Sequence, residues 1–456
     1  MIITEGFTSM NPYNDLVTPS FDEFEKGIYL NLRLEPISNE AKSLIVEILT
    51  NSTQVSGPKL PFEAAVGALV GDMLRVRASG PERYGFRSVK MQSFTGEFVG
   101  YRPFVRAAEH LKDMNLIGWN KGQNATYVSA GIASRFWSMD SLLSLAKSSG
   151  ITPENYKQHF RRRSGTTGKA NYVTLKSASR KTNETYGEKI AGRDMGLPNG
   201  NPDVFRYQEE MRAINDALFK HDYSFEFSGL YRLFNNGDTT GLSFNEGGRM
   251  YGIGGGYQNI RKADRRKILI NGSPTAEIDL SASHYTIATI LLGWPYNQDI
   301  DPYIVPGYPR DVVKSCLTAS MGNGKPITRW PKNIKNGYRH PDPHKQKGLK
   351  DATKSAGKVY TGNLEADWPI RKIKADVLSR FPILDILKDN GMSWGKLQFE
   401  ESCVIAEAVR RLSVEMGIPA LPVHDSLIVP VADRETALQV LDECFYGRFK
   451  AHPRIK

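Results

Sequence analysis

The chain is poor in cysteine and has no long apolar run. Its three cysteines in 456 residues (Cys316, Cys403 and Cys444) are too few and too scattered for a disulfide framework or a thiolate zinc site. The longest apolar stretch, around 287–293, falls well short of the ~18–20 residues a membrane-spanning helix needs. The start, Met-Ile-Ile-Thr-Glu, lacks the basic region and apolar core of a secretory signal. These absences predict a reduced, intracellular, cytoplasmic protein with no membrane partner. Internal repeats and low-complexity tracts are missing too, which argues against solenoids and fibres. Acidic residues are in deficit: 49 Asp+Glu against 60 Lys+Arg leaves a net charge of +11. A basic chain of this kind suits a polyanionic partner, because Lys and Arg on phosphates release condensed counterions. With 40% hydrophobic and 24% charged residues the chain is otherwise ordinary globular material. At ~100–200 residues per domain, its length predicts roughly two to four domains.

The positive excess is local. Segment 157–189 carries nine Lys/Arg against Glu184 and Glu188, includes Arg161-Arg162-Arg163, and is rich in Ser, Thr and Gly. It reads as a basic linker or a phosphate-contacting loop. Segment 325–374 has 13 Lys/Arg against Asp342, Asp351, Glu365 and Asp367, interleaved with Trp330, Tyr338, Tyr360 and Trp368. Cations that track a backbone and aromatics that stack on bases have this pattern, and so does a solvated loop. Apolar spacing near 3.6 predicts helices over 37–50, 62–76 and 203–220. Over 100–128 a helix is followed by a short strand at 115–119, a turn at 120–124 and a second strand at 125–128. That order is similar to the recognition helix and wing of a winged helix-turn-helix, with Arg102, Arg106, Lys112 and Lys121 as available cations. The expected organisation is a helical N-terminal region over 1–150, a basic linker over 151–200 and a core over 201–456.

Three segments carry the chemistry. In Glu277-Ile-Asp279-Leu280-Ser281-Ala-Ser-His284 an alternating stretch ends in a carboxylate just before a helical run, a place where Asp can hold a metal ion or simply cap the helix. In the stretch 310–321, Arg310 and Lys314 lie one helical turn apart and Thr318 extends their face, so two cations can grip a triphosphate or decorate a solvated helix. In Val423-His424-Asp425-Ser426-Leu427 two apolar strands flank a tight turn that carries an acid. Burying a carboxylate without a partner is costly, so Asp425 needs a partner, either a metal ion shared with Asp279 or a hydrogen bond.

These segments resemble motifs A, B and C of family A DNA polymerases and the related single-subunit, phage-type RNA polymerases. Gly247-Gly248-Arg249, Tyr257-Gln258-Asn259-Ile260 and Arg265-Arg266-Lys267-Ile268 stand where that superfamily has its signatures ahead of motif A, and the likeness spans about residues 230–450. The resemblance implies an α+β fold: a right-hand polymerase core with an antiparallel palm sheet and helical fingers, behind a mostly helical N-terminal region. It implies a metal-dependent, template-directed nucleotidyltransferase, most simply a DNA-templated DNA polymerase that extends a primer 3′ end. Two Mg²⁺ ions (Mn²⁺ substituting) would be held by Asp279, Asp425 and the Leu280 carbonyl; such pairs sit ~3.5–4 Å apart and activate the attacking hydroxyl. Lys314 would act on the β/γ-phosphates or as general acid, with Arg310 on the γ-phosphate and Thr318 on the same face. Arg249 and His424 would meet the primer end, His284 would border the sugar, and Gln258 would belong to the substrate-binding set. The partners implied are template–primer nucleic acid and nucleoside triphosphates, in a bacterial or phage-infected cell.

The departures keep two other readings open. His284 stands where the DNA polymerases carry Glu and the RNA polymerases Gly. Gly322-Asn323-Gly324 replaces the Tyr-Gly pair of motif B, and Ser426 follows Asp425 as in the RNA polymerases. A primase or DNA-directed RNA polymerase on the same core is one alternative, and a non-catalytic DNA-binding replication or regulatory protein is the other. No exonuclease carboxylate set is read before residue 230, since 22–25 reads as a helix start, so proofreading is not expected. His340 and His344 are separated by prolines that forbid a zinc helix, and 252–256 lacks the strand-to-helix context of a phosphate loop.

Overall fold

A computed structural model describes residues 26–50, 59–94, 97–123, 132–163, 171–181, 189–190, 192–241, 243–254, 256–331, 334–335 and 363–456. The protein is mixed α/β with mostly antiparallel sheets; Gly27–Tyr29 pairs parallel with Tyr84–Arg87, and Val173–Lys176 with Leu230–Phe234. It divides into two compact units, Met1–Ala170 and Asn171–Lys456. No helix among the described residues is long and apolar enough to cross a membrane.

In the first unit the strands are β1 (Gly27–Tyr29), β2 (Leu34–Pro36), β3 (Tyr84–Arg87), β4 (Ile117–Asn120), β5 (Ser134–Ser138) and β6 (Phe160–Arg162). Helix α1 (Asn39–Thr50) starts where the Ser38 hydroxyl accepts the Ala41 N–H at 3.0 Å, and buries Ala41, Leu44, Ile45 and Ile48 at helical spacing. Helix α2 (Lys59–Ala78) is the central element, burying Phe62, Val66, Leu69, Val70, Met73 and Leu74. Its Asp72, wholly buried, accepts from the Leu32 N–H at 2.9 Å and from Arg75 Nε at 3.0 Å. Helix α3 (Tyr101–Asp113) lays Phe104, Ala107, Ala108 and Leu111 on that core and leads into β4.

Strand β4 has a described partner that the sequence reading did not mark. It pairs with β5, Ile117 opposite Ser138 and Asn120 opposite Arg135, within a sheet ordered β1-β3-β5-β4. The stacking of Trp119 on Phe136 at 5.4 Å accounts for this register, since it places two large rings on one buried face. The expected second strand at 125–128 lies outside the described residues. The cations expected around α3 also divide. Arg102, Lys112 and Lys121 are exposed, whereas the Arg106 guanidinium lies 4.8 Å over the Phe62 ring as part of the packing.

The stretch expected as a linker over 151–200 is instead shared between the units. Phe160–Arg162 pairs antiparallel with β2, and Arg161 and Arg163 both bind Glu35, at 2.9 and 3.0 Å. In the second unit β7 (Val173–Lys176) turns Val173 and Leu175 into the core. Strands β8 (Arg180–Lys181) and β9 (Lys189–Ile190) form a small ribbon, and β10 (Asp194–Met195) edges the sheet β10-β7-β11-β12, with β11 at Leu230–Phe234 and β12 at Gly247–Gly252. A Ser/Thr/Lys-rich sequence suits a loop as well as a strand, and only the alternation of Val173 and Leu175, which turns both into the core, marks β7 as a strand.

Helix α4 (Pro202–Leu218) buries Tyr207, Met211, Ile214 and Leu218, the stripe read from the sequence. Asn201 caps it by accepting from the Asp203 and Val204 N–H groups. The third sheet holds β13 (Leu269–Ile270), β14 (Ser273–Asp279), β15 (Leu421–Val423) and β16 (Ser426–Pro430) in the order β13-β14-β16-β15, antiparallel throughout. Around it lie α5 (Ser283–Leu291), α6 (Arg310–Asn323), α7 (Trp394–Arg410) and α8 (Arg434–Phe449).

Candidate active site

Strand β14 is the scaffold of the site. Its register places Asp279, the last residue, opposite Ser426. Asp425 precedes Ser426 in the two-residue turn between β15 and β16, and its carbonyl accepts the Leu280 N–H at 3.0 Å. Two acids from distant parts of the chain therefore share one end of adjacent strands. Burial raises both carboxyl pKa values. For Asp425 the charges of Glu401 and Asp279 add to burial and push it up to about 7. For Asp279 burial acts first, while the charges of Lys262 and Lys314 oppose it. A pair of half-buried oxygen donors that repel each other is a donor set a hard divalent cation would relieve. Among the described residues no three His, Cys, Asp or Glu side chains group as a closed metal site. Two carboxylates are nonetheless enough for Mg²⁺, which keeps several waters and draws other ligands from substrate phosphates.

The turn that carries Asp425 is strained. His424 has φ +57°, the only positive φ in the turn, a place that a two-residue hairpin ordinarily gives to Gly. Its ring meets the edge of Tyr251 at 6.4 Å, and burial, then the Arg249 charge, lowers its pKa. Non-glycine residues here cost ~1–2 kcal/mol, and Gly would return part of that as chain entropy, ~0.5–1 kcal/mol. His424→Gly should therefore leave urea-unfolding stability unchanged or raise it by up to ~1 kcal/mol, while lowering any activity of the site; a loss of stability above ~1 kcal/mol would contradict the strain.

Helix α6 begins after Pro309 with Asp311 in its first turn and ends at Gly324, φ +70°. Val312, Val313, Cys316, Leu317 and Met321 are buried, which leaves Arg310, Lys314 and Thr318 along another face, as their spacing predicts. All three converge on Tyr303. Arg310 lies 5.1 Å and Lys314 6.0 Å from its ring centre, and Thr318 hydrogen-bonds to its side chain. Burial pushes the Tyr303 hydroxyl up to about 12. Arg310 Nε also donates to Asp301 Oδ2 at 3.0 Å.

Arg249 and His284 meet at a residue that sequence reasoning missed. Glu401 on α7 is fully buried; it accepts from Arg249 Nε at 2.9 Å, from Arg249 Nη2 and from the Ser283 hydroxyl, and lies 3.2 Å from His284 Nε2. Burial opposes its charge, but His284 and Arg249 outweigh burial and hold its pKa low. Trp394, two turns earlier on the same helix, meets the His284 ring edge-on at 4.2 Å. The available signal was an acid interrupting the apolar stripe of Leu397, Val404, Ile405 and Ala408. Arg249 is aimed by Gly247 and Gly248, at φ +81° and +73°. A Cβ on Gly248 would lie 2.9 Å from Ser402 Oγ.

Gln258 is placed differently from the expectation. Its amide donates to the carbonyls of Met250 (3.1 Å) and Pro422 (2.7 Å) and accepts the Gly252 N–H (2.9 Å), so it ties β12 to β15 and its donors are spent on backbone. Trp330 is likewise packed, 2% exposed, with Nε1 donating to the Trp368 carbonyl at 2.9 Å; this differs from a base-stacking surface. Tyr338, Tyr360, His340 and His344 lie outside the described residues. Glu277, two residues before Asp279, is neutralised by Arg265 at 2.8 Å and accepts the Ser426 hydroxyl at 3.1 Å.

No model of a known protein family matches the chain, and no curated protein matches it either.

Proposed function

We propose that the protein is a metal-dependent, template-directed nucleotidyltransferase that adds deoxynucleotides to a primer 3′ end on DNA, without a proofreading exonuclease. The observation that carries this reading is the pairing of Asp279 and Asp425 at one end of adjacent antiparallel strands, with the Lys314 charge acting on Asp279. The implied divalent cations, when bound by Asp279, Asp425 and the Leu280 carbonyl, supply activation of the attacking 3′-hydroxyl and neutralisation of the leaving pyrophosphate. The chain's own residues do the rest. Arg310 holds the γ-phosphate, and Lys314 pairs with the β/γ-phosphates and gives a proton to pyrophosphate as it leaves. His284 borders the sugar, and Arg249 and His424 orient the primer end. On this reading Lys314→Ala slows single-turnover addition by ~10²-fold or more and leaves primer–template affinity unchanged; an equal rate removes Lys314 from the chemistry.

Ser426 directly after Asp425 favours a second reading, RNA synthesis or priming on the same core. A third, DNA binding without catalysis, draws on the first unit. There α3 leads into the β4–β5 hairpin within the order β3-β5-β4, an arrangement suited to a winged helix. The exposed face of α3 mixes Arg102 and Lys112 with Glu109 and Asp113, so this helix by itself is not a basic stripe.

The test is incorporation on primed and unprimed DNA with Mg²⁺ or Mn²⁺ and either dNTPs or NTPs. Primed dNTP extension supports the first reading and unprimed NTP synthesis the second. Salt-sensitive DNA binding with no incorporation supports the third and overturns the enzyme. The cytoplasm of a bacterial or phage-infected cell is the proposed setting.

A further inference from the structure

Residues 454–456 run beside the strand end that carries Asp279. The Asp279 N–H donates to the Lys456 carbonyl and the Lys456 N–H to the Asp279 carbonyl, both at 3.0 Å; the Ser281 N–H donates to the Arg454 carbonyl at 2.8 Å. This ladder fixes the Lys456 backbone directly against Asp279. Lys456 Nζ then lies 3.6 Å from Asp301 Oδ2, the oxygen that also accepts Arg310 Nε. The Asp301 side chain is only 3% exposed, whereas those of Lys456 and Arg310 are 48% and 36% exposed. The charges of Arg310 and Lys456 both act on Asp301, and that of Lys456 also acts on Asp279. One buried acid thus gathers two open cations from separate segments, beside a third, Lys314, on the same ring of Tyr303. A lone buried acid needs one cation; two half-open ones around it leave net positive charge facing solvent next to Asp279, which is the chemistry that takes a polyphosphate.

We infer that Lys456 is a third cation of a polyphosphate subsite formed with Arg310 and Lys314, and that Asp301 is the positioning residue that holds Arg310 and Lys456 toward it. The inference deepens the proposed function and rests on it for the identity of the natural ligand, a nucleoside triphosphate. The ladder at Asp279 is main-chain, so changing the Lys456 side chain leaves it in place.

The probe is inorganic tripolyphosphate, whose binding to the full chain is measured by calorimetry without catalysis. Alongside it, KM and kcat for nucleotide addition are measured. Lys456→Met should weaken tripolyphosphate binding and raise KM roughly 5–10-fold with kcat changed less, and Lys456→Arg should restore both. Asp301→Asn should raise KM in the same direction, whereas a merely structural loss would lower kcat and the folded fraction together. Tripolyphosphate binding that depends on Lys456, in a protein that extends no primer, keeps the subsite and overturns the polymerase. Extension with KM and tripolyphosphate affinity unchanged in Lys456→Met overturns the subsite and keeps the polymerase. No binding and no extension overturns both.

Discussion

On the proposed function, Asp425→Ala is expected to abolish nucleotide addition, a loss of at least ~10³-fold, and to leave salt-sensitive DNA binding at the wild-type level. The size follows from the position of the side chain. Asp425 sits at the tip of the β15–β16 hairpin, half-buried, with its pKa held up at about 7 by burial and by the charges of Glu401 and Asp279. Removing it relieves that repulsion, so the fold should not suffer, yet one of the two oxygen donors proposed for a divalent cation is gone. The proposed binding to DNA would draw on cations elsewhere and should not change. The measurements are primer extension with Mg²⁺ and a filter or anisotropy titration at two salt concentrations. A variant that still extends shows that the pair is not the catalytic centre, and Asp279→Ala serves as the matched case.

Glu401→Ala gives the largest expected loss of stability, about 3–5 kcal/mol by urea unfolding. The carboxylate is 0% exposed and answers Arg249, His284 and Ser283 at once. Its removal leaves the Arg249 guanidinium, only 15% exposed, without its counter-charge. Glu401→Gln keeps the volume and some of the hydrogen bonds and should lose less than Glu401→Ala. A cost below ~1 kcal/mol for the alanine variant would mean that the site floor is wetter than its burial indicates.

How much of this was legible in the sequence depends on whether the physics was local. The stripe Tyr207, Met211, Ile214, Leu218 and the face Arg310, Lys314, Thr318 are readable because helical periodicity is set by neighbours in sequence. An acid ending an alternating run, Asp279, and an acid in a tight turn between apolar strands, Asp425, are readable for the same reason. Glu401, Asp301 and Lys456 were missed because each acquires its meaning from a partner far along the chain. Gln258 was misjudged on the same ground: nothing local says that the Pro422 carbonyl would claim its amide. The pairing of β4 with β5 was not legible because it joins Trp119 to Phe136, a contact that local turn signals near 120–124 do not announce. The strands within 151–200 were hidden by a composition equally suited to a solvated loop.

The hairpin β15–β16 closes over two residues, but β14 reaches β16 from well over a hundred positions upstream. Local contacts form early; distant ones wait for loop-closure entropy to be overcome. On that ordering Asp425 would be presented on its turn before Asp279 arrives, and the strand that completes the sheet would dock against like charge. If the pair takes a divalent cation, Mg²⁺ in the refolding buffer is therefore expected to raise the refolding rate followed by stopped-flow fluorescence, and not only the stability of the finished protein.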